Sequence, residues 1–173
     1  MKKNYTFISW IILAFLFIVG IFFDNNITYF FNNHQNKFIN SFMTLISSYY
    51  FLIPVFVFIF VLLSFKNKKN IIKVPLSVVL TIIFSYILKI IVGRERPFSF
   101  EFNSFPSFHS AFVFSVFPFF KEKAKTIWFI FSIFVAFSRI YLGEHFLTDV
   151  VAGIVVGYII GLFTNKFIER KLR

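Results

Sequence analysis

The chain has 173 residues, of which 58% are hydrophobic and 14% charged, and its mean hydropathy is +0.81. Those values exclude a water-soluble core and point to one domain, residues 1–173, with several membrane-crossing segments. No cysteine is present, which excludes disulfides, thiolate chemistry and cysteine-held metals, and the net charge of +11 has to be placed along the chain before it says anything about partners.

Met1-Lys2-Lys3 precedes an apolar run from about residue 7 to 23. A secretory signal peptide begins this way too. Here the run is long, and Asp24-Asn25-Asn26 follows it with no small-x-small cleavage site, so it reads as an uncleaved first transmembrane helix. Between residues 24 and 49, Phe38, Ile39, Phe42, Met43, Leu45 and Ile46 recur at spacings of three and four, which predicts a short amphipathic helix lying at the interface. His34, between Asn33 and Gln35, reads as a solvated loop histidine. A second span covers about 49–65 and is closed by the basic turn 66–70. A third covers about 74–92, and Lys89 near its far end either snorkels to the interface or faces a polar site.

Gly93 and Pro97 end that span and open a polar loop reaching Pro106. Pro106-Ser107 is a helix-start signal for a fourth span that ends near Phe120. It places His109 in the first turn, where free N–H groups and the helix dipole favour an anion. The basic turn 121–125 leads to a fifth span at about 126–142, Gly143-Glu144 makes a tight turn, and a sixth span runs from about His145 to Phe163. Gly153, Gly157 and Gly161 repeat every four residues on one face of this last span, which predicts close helix packing within the bundle, with dimerisation as the alternative. The expected fold is therefore all-α: a six-transmembrane-helix bundle with a short interfacial amphipathic helix between spans 1 and 2.

Charge sets the expected orientation. Lys2, Lys3, the lysines of 66–73 and 121–125, and the basic tail from Lys166 fall on one side; with Glu122 and Glu169 counted, that side holds the whole excess of +11. The other side has five cations, Lys37, Lys89, Arg94, Arg96 and Arg139, balanced by Asp24, Glu95, Glu101, Glu144 and Asp149. By the positive-inside rule the first side, with both termini, is cytoplasmic, and no nucleic-acid partner is needed to explain the charge.

Lys89, Arg96, His109, Arg139, His145 and Asp149 all fall at the opposite end, contributed by three separate hairpins. Singly each has a bland explanation, as a snorkelling lysine, a loop charge, a helix cap or a structural ion pair. Together, three cations, two histidines and one carboxylate are the groups that phosphoryl transfer through a nucleophilic histidine requires. If the segment from His145 is helical, Asp149 shares its face at i+4 and can fix the tautomer of His145, leaving the other ring nitrogen free to attack. Glu95, Glu101 and Glu144 do not form a carboxylate cluster at ligand spacing, so a two-metal site is not expected. Arg94 and Glu144 are candidates to support the site, and solvated loop charges are the preferred reading of both.

Three ordered motifs carry a resemblance. Lys89 and Arg96-Pro97 are separated by six residues, Pro106-Ser107-Phe108-His109 fits Pro-Ser-x-His, and Ser138-Arg139, five residues, His145, three residues, Asp149 completes the set. The chain thus resembles the type 2 phosphatidic acid phosphatases, integral-membrane lipid phosphatases related in fold to vanadium haloperoxidases. The resemblance implies that His145 is the nucleophile, that Asp149 orients it, and that His109 is the acid and then the base. It implies that Lys89, Arg96, Ser107 and Arg139 hold the phosphate, and that no metal or other cofactor is required. Many members have Gly where this chain has Phe108, at a variable position that can shape the substrate entrance. The implied activity is hydrolysis of a membrane lipid phosphate or pyrophosphate at the periplasmic face of the inner membrane. Lipid A 1-phosphate is the favoured substrate, with undecaprenyl pyrophosphate and phosphatidylglycerophosphate as alternatives; no obligate protein partner is implied. A non-catalytic lipid-phosphate binder or transporter on the same fold is the alternative of another class.

Overall fold

The computed structural model describes residues 2–171, and side chains from residue 8 onward; the side chains of Lys2, Lys3 and Arg173 in the charge count lie outside the described residues. Seven α-helices follow one another: α1 (Lys2–Asn33), α2 (Lys37–Ser47), α3 (Tyr49–Lys66), α4 (Asn70–Val92), α5 (Phe108–Val116), α6 (Glu122–Tyr141) and α7 (Leu147–Lys171). A 3₁₀ turn, Phe117–Phe119, extends α5. No strand occurs among the described residues; a single bridge joins Arg96 and Ser99. Five helices are long and apolar enough to cross a membrane, namely α1 from Ile8, α3, α4, α6 and α7, while the apolar stretch Phe108–Phe119 is shorter. The protein is an all-helical integral membrane protein.

α1 runs past its expected end. The Asp24-Asn25-Asn26 stretch, read above as the close of the first span, lies inside a helix that continues to Asn33. The reason is that Asp24 is not solvated: it is buried, its carboxylate accepts the Thr148 N–H at 3.1 Å, and it pairs with Arg94 at 2.8 Å. A carboxylate provided with donors from its own protein can sit within a helix at membrane depth without ending it. α4 likewise begins about one turn earlier than expected, at Asn70, whose side-chain amide donates to Leu63 O at 2.8 Å and ties the α3–α4 turn together.

α2 forms where its pattern predicts. Asn36 caps it by accepting the Phe38 N–H at 2.9 Å, Met43 and Ile46 turn inward, and Phe38, Phe42 and Leu45 stay exposed. Its start is fixed to the end of α6, because Asn36 N donates to Tyr141 Oη at 2.9 Å and the Gln35 amide donates to Tyr141 O at 3.1 Å.

α5 is the axis of the bundle and packs most extensively on α7. The glycine stripe makes this contact. A Cβ on Gly153, Gly157 or Gly161 would lie 2.4, 2.0 or 2.2 Å from the carbonyl oxygens of Ser107, Ala111 and Ser115. The two backbones therefore touch, as the four-residue repeat predicts. α4 meets the same core with a face of small polar residues. Ser77, Thr81 and Ser85 are buried, and Ser77 Oγ donates to Ser115 O at 3.1 Å. The outward faces of α1, α3 and α4 carry Phe15, Phe22, Phe58, Ile83 and Ile90, an apolar coat suited to lipid as the solvent.

Candidate active site

Two turns build the site. Gly93, at φ +54°, caps α4 with its N–H on Lys89 O at 3.0 Å and redirects the chain into the loop 94–106. That loop is held by Arg96 N donating to Glu101 O at 3.1 Å and Ser104 N donating to Arg94 O at 2.9 Å. Gly143, at φ +69°, turns the chain between α6 and α7, and a side chain there would strike Phe98. Glu144 N and His145 N both donate to Arg139 O, at 3.0 and 3.1 Å, so the turn holds His145 beside the arginine in the last turn of α6.

His145 lies ahead of α7 rather than within it, which corrects the expectation of a shared helix face with Asp149. Asp149 sits in the first turn of α7 and reaches back: Oδ2 accepts the Phe146 N–H at 2.9 Å, one half of a capping box. His145 Nδ1 is 3.7 Å from Asp149 Oδ2, beyond hydrogen-bond range. Ser104 Oγ lies beside both, 2.5 Å from Asp149 Oδ2 and 3.5 Å from His145 Nδ1. Burial lowers the His145 imidazole to about 4, against the raising effect of Asp149, so the ring is neutral at physiological pH. With Nδ1 directed at Asp149 and Ser104, Nε2 is the nitrogen left for an electrophile.

Lys89, Arg96, His109, Arg139 and His145 line one cavity of about 700 Å³. Its remaining wall includes Tyr49, Ile82, Tyr86, Phe102 and Phe108, so a cationic pole faces an apolar one. Tyr86 and Ile90, which also line it, belong to the lipid-facing surface of α4. Arg96 is aimed by Asn103 Oδ1 at 2.6 Å and Glu144 at 2.5 Å, and Lys89 Nζ donates to Asn103 O. Arg139 is buried, with Glu144 3.5 Å from one terminal nitrogen, and its Nε has no partner. The His109 ring packs on Tyr49, with centroids 5.1 Å apart.

Five of the seven residues singled out in the sequence therefore face the cavity, and Asp149 stands directly behind His145. Ser107 is not on the cavity wall: its N–H donates to Asp149 O at 2.9 Å and its hydroxyl accepts from Ser110 at 3.1 Å. His34 is exposed and stacks on Phe30, as a loop histidine should. Two expectations fail. Arg94 is not a solvated loop charge, because it binds Asp149 Oδ1 and Asp24 Oδ2, each at 2.8 Å. Glu144 is half-exposed yet not a free loop charge, being the shared partner of Arg96 and Arg139. Ser104 and Asp24 were missed altogether. Asp24 did carry a signal, a carboxylate inside an apolar helical stretch, whereas no spacing marks Ser104.

No cluster of three or more His, Asp or Glu groups suited to an ion occurs among the described residues. The protein is thus a membrane-embedded helical bundle with a histidine–carboxylate pair at a cationic cavity. It belongs to the PAP2 superfamily of hydrolases, whose family model matches residues 70–173. It is 27% identical over 153 residues to undecaprenyl-diphosphatase BcrC of Bacillus subtilis, covering 78% of each chain. It is 28% identical over an alignment of 187 positions to an undecaprenyl-diphosphatase of Sulfolobus acidocaldarius, covering 91% of this chain and 88% of the relative. A lipid A 4'-phosphatase of Porphyromonas gingivalis matches at 51%, but over 41 residues, 24% of this chain and 17% of the relative. Among solved structures, Aquifex aeolicus LpxE superposes with a TM-score of 0.70 at 26% identity, covering 83% of this chain and 94% of that one. The transmembrane PAP2-type phosphatidylglycerolphosphate phosphatase of Bacillus subtilis gives 0.72 at 25% identity, covering 92% and 96%.

Proposed function

We propose that the protein is a metal-independent lipid phosphatase that works through a phosphohistidine on His145. The carrying observation is the convergence of Lys89, Arg96, His109, Arg139 and His145 on one cavity that also touches the lipid-facing side of α4. A headgroup can lie against the cations while its chain stays among apolar side chains. In the first step His145 Nε2 attacks phosphorus, the bond to the lipid or leaving phosphate oxygen breaks, and His109 gives that oxygen its proton. In the second, His109 takes a proton from water, the hydroxide displaces His145, and inorganic phosphate leaves. Asp149 stabilises the imidazolium that develops, and Lys89, Arg96 and Arg139 stabilise charge on the phosphoryl oxygens. Ser107 acts through its main chain, holding the start of α5 to Asp149.

In this reading the whole of 1–173 is one domain, α5 with its 3₁₀ extension is a sixth crossing, and α2 lies at the interface. The apolar stretch Phe108–Phe119 measures roughly 18 Å, short of a bilayer core of about 30 Å. His109, Ser110 and Phe119 near its two ends are buried in protein, so lipid does not set its length. The distribution of Lys and Arg supports cytoplasmic termini in the inner membrane and a cavity facing the periplasm.

Undecaprenyl diphosphate heads the substrates, because the two sequence relatives matched over most of their length carry that activity in their names; the solved structures covered as fully are an LpxE and a phosphatidylglycerolphosphate phosphatase. Lipid A 1-phosphate, favoured on the sequence, and phosphatidylglycerophosphate are the comparison substrates; the lipid A 4'-phosphatase match is too short to carry a substrate. The test is phosphate release by purified protein in detergent with chelator, on the three lipids side by side, with His145→Ala as blank. The reading expects the fastest release from undecaprenyl diphosphate. Release from another lipid alone overturns the substrate, and release from none, with the protein folded, favours a lipid-phosphate binder or transporter.

A further inference from the structure

Arg94 faces away from the substrate cavity, and the structure shows what it is held for. Its NH1 donates to Asp149 Oδ1 at 2.8 Å and to Thr148 Oγ1 at 2.5 Å, while NH2 donates to Asp24 Oδ2 at 2.8 Å. The Phe146 ring packs flat against it, 4.1 Å from guanidinium carbon to centroid. Asp24 in turn accepts from Thr148 through both N–H and hydroxyl. The planar guanidinium is thereby clamped at both ends of its fork and on one face. The residues that clamp it, Phe146, Thr148 and Asp149, directly follow His145 in the chain.

A second cavity, of about 490 Å³, opens on this cluster from between α1 and the loop that follows α4, with Asp24, Asn25, Arg94 and Thr148 in its wall. No residue of the Arg94 cluster lines the substrate cavity, and no substrate-facing cation lines the second one. Asp149 is fully buried, and besides Arg94 it has Ser104 and the Phe146 N–H as donors. Removing the guanidinium would leave Oδ1 without a donor and free the carboxyl to rotate away from His145.

We propose that Arg94, clamped by Asp24 of α1, is a positioning residue that fixes Asp149 and, through it, the Nδ1–H tautomer of His145. This rests on His145 being the nucleophile, and it adds α1 to the machinery although that helix supplies nothing to the substrate cavity. Because the clamp acts from the rear, its loss should lower kcat and leave KM nearly unchanged. Because Asp24, Arg94, Thr148 and Asp149 form one bonded cluster, the two substitutions should not add.

The experiment uses the full-length protein in detergent with Arg94→Gln, Arg94→Lys, Asp24→Asn and the Asp24→Asn/Arg94→Gln double variant, and Lys37→Ala as control. Two readouts are taken: kcat and KM on the best lipid substrate, and the ring ¹⁵N shifts of His145, assigned by comparison with His145→Ala. Expected are a kcat about tenfold or more lower for Arg94→Gln with KM within about twofold, and partial recovery in Arg94→Lys. The double variant should be no worse than Arg94→Gln, and His145 should change from one tautomer to a mixture. An unchanged His145 tautomer in Arg94→Gln, a loss confined to KM, or additive losses in the double variant would overturn the proposal. The nitrogen shifts read the clamp without turnover. If the wild-type protein hydrolyses none of the lipids, the phosphatase reading fails while the tautomer result still decides whether Arg94 positions His145.

Discussion

His145 has a front and a rear, and the same residue types do opposite things on the two sides. In front, Arg96 and Arg139 share Glu144, Arg96 also meets the exposed Glu101, Lys89 donates to the Asn103 carbonyl, and one buried nitrogen of Arg139 has no partner. In the proposed mechanism that side keeps positive charge in reserve for an anionic ligand. Behind, the single Arg94 lies between two buried carboxylates, Asp24 and Asp149, so that side is net negative. A site that binds phosphate and then develops an imidazolium needs both, and the difference teaches that partners, not residue type, assign an arginine its work.

The largest effect should come where the two sides meet. His145→Ala should lower phosphate release by at least ~10⁴-fold, since loss of a nucleophile removes the covalent route; residual turnover above a few per cent in a release assay would break the account. On the front, Arg139→Gln should lower kcat/KM by about 10²–10³ and raise KM as well, unlike the rear variants. Steady-state kinetics on one lipid separates the two patterns, and identical patterns would erase the distinction between the sides.

Gly157→Ala lies on neither side and should harm the scaffold alone. Its Cβ would meet the Ala111 carbonyl at 2.0 Å, so about 1–3 kcal/mol of stability should be lost, read as a lower melting temperature in detergent. The neutral His145 gives a gentler test. Its folded-state value of about 4 lies below the 6.5 of a free imidazole, so between those values the unfolded chain binds more protons. Stability is complete above about pH 6.5 and falls as pH is lowered toward 4; an NMR titration should place the midpoint of His145 near 4, and one at 6 or above would contradict the burial argument. Smallest of all, chelator and Lys37→Ala should leave turnover within about twofold of the untreated wild type, which the release assay also checks.

The front of the site was legible in the sequence because its residues stand in short motifs at fixed spacing. Polar groups at membrane depth are expensive, and that cost marks Lys89, His109 and Arg139 without any structure. The glycine stripe was legible for a similar reason, since a four-residue repeat has one geometric meaning on a helix. The rear was not legible. Arg94 meets Asp149 across 55 residues and Asp24 across 70, and neither separation leaves a periodic trace. Asp24 was taken for the end of a span because a carboxylate after an apolar run commonly marks the membrane boundary; only its tertiary partners reveal that the helix carries it onward. The expected i,i+4 pairing of His145 and Asp149 brought together two residues that do lie side by side, 3.7 Å apart, but on the wrong element, because Gly143 and Glu144 take two further residues into the turn.

The most direct test of the central claim is to trap the covalent intermediate. Protein turning over a lipid labelled in its reactive phosphate would be quenched in alkali, where phosphohistidine survives, then digested and the label mapped. The account predicts phosphate on the peptide containing His145, and none in His145→Ala. Label on another residue, or full turnover with no label at any time of quenching, would contradict it.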